Sequence, residues 1–339
     1  MRGTGRRPTM RDIAAQAGVS KGLVSLILNG NPGPSAQTTA RVLAIADQIG
    51  YRADRTASLL ARRRSRMLGV VAMPSNPFHA EMVEEIQRVA DQGGYELGVG
   101  AVTASHDERQ AIETLLDFRC EALFLLGSLL PAEELAALTA GVPVVSIGRL
   151  LDLAGFDVVR TADEQGMALL VDHLVDLGHR RIVHIDGGDG FVSAERRRAF
   201  TLAMQHHGLG PTVLHGGETE RDGIRAAENI DLSTGVTAVV AYNDRCALGV
   251  LDHFDRTRTN VPKRVSVTGY DNSVLAQLHR INLTTVSQSP KDQARLAVAA
   301  AIERLDEDRT SDQEIVLEPH LVIRKSTAKA PAALTREMR

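Results

Sequence analysis

A chain of 339 residues is too long for one ordinary domain, and we expect two or three. Its net charge of −3 hides an asymmetry: residues 1–66 hold twelve of the 39 Lys/Arg and three of the 42 Asp/Glu, a head of +9 on a remainder of −12. The two cysteines, Cys120 and Cys246, lie far apart in apolar runs with no C-x-x-C, which argues against a disulfide framework or structural zinc and fits a reducing compartment.

Near the amino terminus, Ile13, Ala14 and Ala17 share one face of a short helix. Gly18 can end it in a left-handed residue, Val19 fills the corner, and Ser20 is a good N-cap for a second helix. That helix buries Val24, Ile27 and Leu28 and leaves Lys21, Gly22, Ser25 and Leu26 facing elsewhere. A third helix starts from Ser35 and lines Val42, Ile45 and Ile49 up to Gly50. Two helices with small residues and a short corner between them read as a helix-turn-helix, and the charge points to a polyanion. Residues 51–67 have helical spacing but too few apolar positions for a stable isolated helix, so they read as a linker that orders on DNA.

From residue 67 strand-like and helix-like runs alternate: "MLGVVAM", helix 78–93, "YELGVGA", helix 107–119, "ALFLLGS", helix 131–140, "PVVSIG" and "DVVRTAD". The alternation restarts with helix 163–177, "IVHIDG", helix 193–208, "TVLHGG", helix 219–229, "AVVAYN", helix 244–255, "VSVTGYD", helix 290–305 and a last strand "LVI". This order predicts parallel sheets covered on both faces, in two series. No apolar run follows the basic amino terminus as in a secretory signal, and "ALFLLGSLL" at 122–130 is too short to span a membrane, so a cytosolic protein is expected.

The order "TMRDIAAQAGVS…VS…LNG", a third helix ending "GY", an A-x-x-L hinge leading into "LGVV", and then "DHLVDLGHRRIVHIDG", "NDRCALG", "VPKRVSVTGYDN", "LTTVSQ" and "LVIRKST" resembles the LacI/GalR family of bacterial transcription regulators. The resemblance covers nearly the whole chain. It implies a small all-α helix-turn-helix head, residues 1–52, a hinge over 53–66, and a periplasmic-binding-protein-like α/β body over 67–339 with two doubly wound parallel-sheet lobes. It implies a homodimer on pseudo-palindromic double-stranded operator DNA, controlled by a small-molecule effector, with no cofactor, metal or membrane partner.

The DNA-contacting set implied by position is Thr9, Ser20, Lys21, Gly22, Leu23, Ser25, Leu26, Asn29, Ser35, Thr38, Ala57 and Leu60. Leu60 would be the apolar wedge that kinks the operator at its centre. Where family members often read Thr-Val-Ser-Arg, this chain has Leu23-Val24-Ser25-Leu26, so Lys21 is the charged candidate for a base edge. Leu23 and Leu26 are candidates for thymine methyls, and Leu26 alternatively packs on the third helix.

Ligands of doubly wound folds bind beyond the carboxyl ends of the strands. Standing there are Phe78 and His79, Arg149, the run Gly187–Gly190 ahead of Arg196, Asn243, Asp244 and Asp271. The resemblance assigns the effector to Arg196, Asn243 and Asp271, groups that suit a polyhydroxylated ligand. Glu218 stands where many sugar-binding members place an aromatic, which turns the expectation towards an amino or otherwise cationic ligand. Asp244 reads as an N-cap, and Arg197 and Arg198 as surface. A solute-binding receptor or a sugar- or nucleotide-processing enzyme would share the body's fold. The first has no use for residues 1–66, and "GGDG" lacks the G-K-[ST] of a phosphate loop.

Overall fold

The computed structural model describes residues 8–28, 32–51 and 64–332. The chain divides into two compact units between Ser65 and Arg66.

In the first unit, α1 (Met10–Ala17), α2 (Lys21–Leu28) and α3 (Ala36–Gln48) enclose Ile13, Ala14, Ala17, Val24, Ile27, Val42 and Ala46. Each start is capped. Thr9 and Asp12 exchange bonds in a capping box, Ser20 Oγ accepts from Leu23 N at 3.1 Å, and Ser35 Oγ accepts from Thr38 N at 3.3 Å. Gly18 ends α1 at φ 63° and ψ 37°, the left-handed residue that the tight corner requires.

The second unit holds two parallel sheets. In chain order its elements are β1 (Met67–Ala72), α4 (Pro77–Gln92), β2 (Glu96–Ala101), α5 (Glu108–Asp117), β3 (Ala122–Leu126), α6 (Ala132–Leu138), β4 (Val144–Ile147) and β5 (Phe156–Thr161). Next come α7 (Asp163–Asp176), β6 (Ile182–Ile185), α8 (Phe191–His206), β7 (Thr212–Leu214), α9 (Glu220–Glu228), β8 (Ala238–Ala241), α10 (Asp244–Arg256) and β9 (Ser266–Thr268). The last four are β10 (Thr285–Ser287), α11 (Pro290–Asp306), β11 (Glu314–Leu317) and β12 (His320–Val322). Six strands in the order β11-β5-β4-β3-β1-β2 make the first lobe's sheet, and β7-β6-β8-β9 the second's. Alternate side chains of each strand enter opposite cores, as the two-residue repeat of a strand requires. Val70 and Phe124 pack with α4 and α11, whereas Val71 and Leu123 pack with α5 and α6. Val240 packs with α7 and α8, and Val239 with α9 and α10.

The sequence series do not map one to one onto the lobes. "EIVL" at 314–317 returns to the first lobe and pairs in parallel with β5, and α11 packs there too. The final "LVI" strand joins neither parallel sheet; it pairs antiparallel with β10. The chain therefore crosses between lobes three times, near 162, 288 and 318. Asp157, fully buried on β5, anchors the return. It accepts two bonds from Arg304 and one from Arg309 Nη2, all at 2.8 Å, and one from Gln313 N at 2.9 Å. Burial would raise its carboxyl, but the two guanidiniums outweigh that and hold it below the usual range.

Candidate functional site

A cleft between the two lobes encloses about 620 Å³ of space, open solvent included. The first lobe contributes Met73, Asn76, Phe78, His79, Leu126, Leu129 and Ile147, and the second contributes Val192, Arg196, Glu218, Tyr242, Asn243 and Asp271. Gln288, on a crossover, completes the lining. Local structure places these groups. The carbonyl oxygens of Glu220 and Cys246 stand where side chains on Gly249 and Gly223 would be, so only glycines let α9 and α10 touch backbone to backbone. That contact brings Glu218, just before α9, beside Asn243, just before α10. Asn243 clips the two starts together: its Oδ1 caps α10 at Cys246 N, 2.8 Å, and its Nδ2 donates to Glu218 O, 3.1 Å.

Arg196 is buried at the base of the cleft. Its Nε donates to Asp163 at 2.9 Å, and its Nη1 donates to Tyr242 O at 3.0 Å and lies 4.0 Å from Asp271. The Tyr270 ring lies beneath the guanidinium, 3.7 Å from Cζ to centroid. Nη2 makes no hydrogen bond among the described residues. Gln288 Nε2 donates to Asp271 Oδ1 at 2.7 Å, while Asp271 sits at φ 112°, a strained conformation for a side-chain-bearing residue. Burial drives the Asp271 carboxyl well above its ordinary range, against the pull of Arg196. Burial also raises Glu218, with Arg196 and Arg245 pulling it down.

On the first lobe, burial, aided by Arg245, pushes the His79 imidazole down to about 4. Its Nδ1 accepts from Met73 N at 3.1 Å, so the ring is neutral with its proton on Nε2. Phe78 beside it offers an apolar face to the cleft.

In the first unit, α2 shows an outward face of Lys21, Gly22 and Leu26, with Ser25 half-buried beside it. Leu26 is 40% exposed and is not among the residues of the three-helix core. Leu23 is partly buried against that core.

Residues 9–54 match the model of "Bacterial regulatory proteins, lacI family", and residues 171–327 that of a "Periplasmic binding protein-like domain". The HTH-type transcriptional regulator GalR of Salmonella typhimurium is 31% identical over 328 residues, 94% of this chain and 96% of that protein. The chain belongs to the LacI family. A crystal structure of a LacI transcriptional regulator from a Rhodococcus species is 42% identical, with a TM-score of 0.75 over 78% of this chain and 99% of that one. The lac repressor dimer bound to operator and the anti-inducer ONPF is 26% identical, with a TM-score of 0.81 over 95% of this chain and all of that one. As a LacI-family protein, this is a DNA-binding transcriptional regulator under effector control.

The LacI-type cleft gathers six of the seven effector residues expected from sequence: Phe78, His79, Arg196, Glu218, Asn243 and Asp271. Arg149 is not in the lining. Its Nη1 donates to the carbonyls of Ser128 and Leu130, and its guanidinium stacks 3.4 Å from the centroid of the Phe191 ring. Asp244 is not the cap of α10, because Asn243 takes that position; Asp244 instead accepts from Ser273 N at 2.7 Å and Thr285 Oγ1 at 2.6 Å. Arg197 is half-exposed but bonded to buried Asp186 at 2.6 Å. Asp163 and Gln288 were not expected as site residues: Asp163, at the start of α7, holds Arg196, and Gln288, the last residue of the "LTTVSQ" run, holds Asp271. In the head, Thr9, Ser20, Ser35 and Thr38 form helix caps. Asn29, Ala57 and Leu60, with most of the hinge, lie outside the described residues. Among the described residues no helix is long and apolar enough to cross a membrane.

Proposed function

We propose that this regulator is a cytosolic, homodimeric repressor without enzymatic activity. Residues 1–52 hold the operator, residues 53–66 form the hinge, and the cleft in residues 67–339 takes a sugar or related polar metabolite. The observation that carries this reading is the convergence of Arg196, Asn243, Glu218 and Asp271 from one lobe on Phe78 and His79 from the other. In-plane donors and acceptors opposite an aromatic face suit a polyhydroxylated ring. The lac repressor dimer, bound at once to operator and to a small molecule, supports the same assignment here.

In the head, α2 enters the major groove with Lys21, Gly22, Ser25 and Leu26 towards the bases. Leu23 reaches from the edge of the core, while Thr9, Ser20, Ser35 and Thr38 cap the helices and turn their starts to phosphate. Asn29 and Ala57 add backbone contacts, and Leu60 wedges the central base step. In the body, a ligand touching both walls binds one lobe arrangement better than another, and that difference in affinity is what moves the operator equilibrium. A tenfold change in operator affinity needs about 1.4 kcal/mol of coupling.

Operator titrations at several salt concentrations, with and without a ligand found by thermal-shift screening of sugars, polyols and nucleosides, test the reading. The logarithm of operator affinity should fall by about 0.9 per neutralised phosphate with the logarithm of salt. Phe78→Ala and Asp271→Asn should move the ligand midpoint upward by roughly tenfold or more while operator is still bound. Unmoved midpoints place the ligand elsewhere, and a flat salt response rejects the head's role.

A further inference from the structure

The cleft holds more acidic groups than cations. Arg196 is the one cationic residue in its lining, against Glu218 and Asp271, and Asp163 stands behind it as a third carboxylate. The neighbouring guanidiniums are engaged elsewhere. Arg245 is held by both oxygens of Glu220 at 2.9 and 2.8 Å, and Arg197 by Asp186. His79, with Met73 N on its Nδ1, is neutral.

Within this set Glu218 is singular. Asp163 has Arg196, and Asp271 has Gln288. The Glu218 backbone is clipped by Asn243, but its carboxylate has no hydrogen bond or ion pair among the described residues. A half-buried acceptor without a donor carries a desolvation cost that a ligand donor removes, and a charged donor removes it best. A phosphate or carboxylate on the ligand would instead meet the unpaired Glu218.

We infer that the effector carries a protonated amine that binds the free carboxylate of Glu218: a polyhydroxylated ring bearing an ammonium group, not a neutral or phosphorylated sugar. The inference rests on the cleft being the effector site, as proposed above. Glu218 is then the residue that sets ligand charge, while Arg196 and Asp271 take the hydroxyl groups that neutral and amino sugars share.

The test is calorimetric titration of the full chain with D-glucosamine, D-galactosamine and D-mannosamine, beside their parent hexoses and N-acetyl derivatives. In the wild type at least one amine should bind roughly tenfold or more tightly than both of its neutral counterparts. Glu218→Gln should bring the three forms to within about threefold, and Glu218→Asp, which keeps the charge, should retain the amine preference. An amine preference unchanged in Glu218→Gln overturns the inference. So does a neutral sugar that binds as well as its amine, or the absence of binding by all three amines. Phe78→Ala judges the cleft separately. A neutral hexose that loses affinity there keeps the cleft as the site while refuting the amine, and a hexose indifferent to both substitutions removes the ligand from the cleft altogether.

Discussion

The two recognition surfaces proposed for this protein are built in opposite ways. The α2 face presents Lys21, Gly22 and Leu26 to solvent, and its helix is held by Val24 and Ile27 beneath. The cleft uses Arg196, Asn243 and Asp271, which are as buried as the core and bonded to one another's neighbours. On the proposed function, recognition and stability are therefore separable in the head and fused in the body. A surface side chain away from special features changes stability by within about 0.5 kcal/mol, whereas one partner removed from a buried ion pair costs about 3–5 kcal/mol.

The largest test of that contrast is Arg196→Ala. It leaves Asp163 buried without its 2.9 Å partner and Asp271 without its nearest cation. Urea unfolding should show a loss of about 3–5 kcal/mol, beside a change within about 0.5 kcal/mol for Lys21→Ala. Equal losses in the two variants would erase the distinction. Lys21→Ala should weaken operator binding and reduce its salt slope by about one unit if it meets a phosphate, or relax base preference if it meets a base edge.

How far each surface was legible follows from the same contrast. The head's helices follow from apolar spacing within a few residues, such as Ile13, Ala14 and Ala17, because their core is local. The central strands follow from unbroken apolar runs such as "ALFLL", buried on both faces. "EIVL" escaped because its exposure alternates along an edge and its partner β5 lies more than 150 residues earlier, where Asp157 with its arginines and the Arg160–Glu314 ion pair hold the return. In the cleft, polar residues at strand ends were legible by type and place. Their partners were not: Asp163 reads as an ordinary acidic helix start, and Gln288 closes the "LTTVSQ" run with nothing to point it at Asp271. Arg149 misled for the opposite reason, since a strand-end arginine can serve carbonyls as well as a ligand.

A second test uses pH. His79 in the cleft and His184 on β6 are both buried and both held down to about 4 by burial. A histidine whose folded value is depressed leaves the unfolded chain as the better proton acceptor, so stability falls as pH drops from about 6.5 towards 4. Each would contribute about 3 kcal/mol to that fall. Asp244, raised to about 6 chiefly by burial, acts with the opposite sign and gains stability over the range from about 6 to 4. The wild-type profile is thus partly flattened, and the difference between variants is the informative quantity. His79→Gln, which keeps an acceptor for Met73 N, should gain on the wild type by about 3 kcal/mol between pH 7 and pH 4. A difference that stays constant with pH would show that His79 is not held neutral. The head has no buried histidine among its described residues, so Lys21→Ala should track the wild type throughout.

The smallest expected effect bears on the head alone. Leu26 is apolar, exposed and outside the core, on the outward face of α2. If it meets a thymine methyl in the major groove, the contact is worth on the order of 0.8 kcal/mol, the value of one buried methyl-sized group. Leu26→Ala should therefore leave urea unfolding within about 0.5 kcal/mol of wild type while weakening operator binding by roughly fourfold. Operators in which uracil replaces thymine at single positions separate this from a general loss of contact. Uracil lacks only the methyl group, so at the contacted position it should weaken the wild type by about the same factor and leave Leu26→Ala unaffected. If every uracil operator weakens both proteins equally, Leu26 meets no methyl group, and the exposed leucine on α2 takes no part in reading the bases.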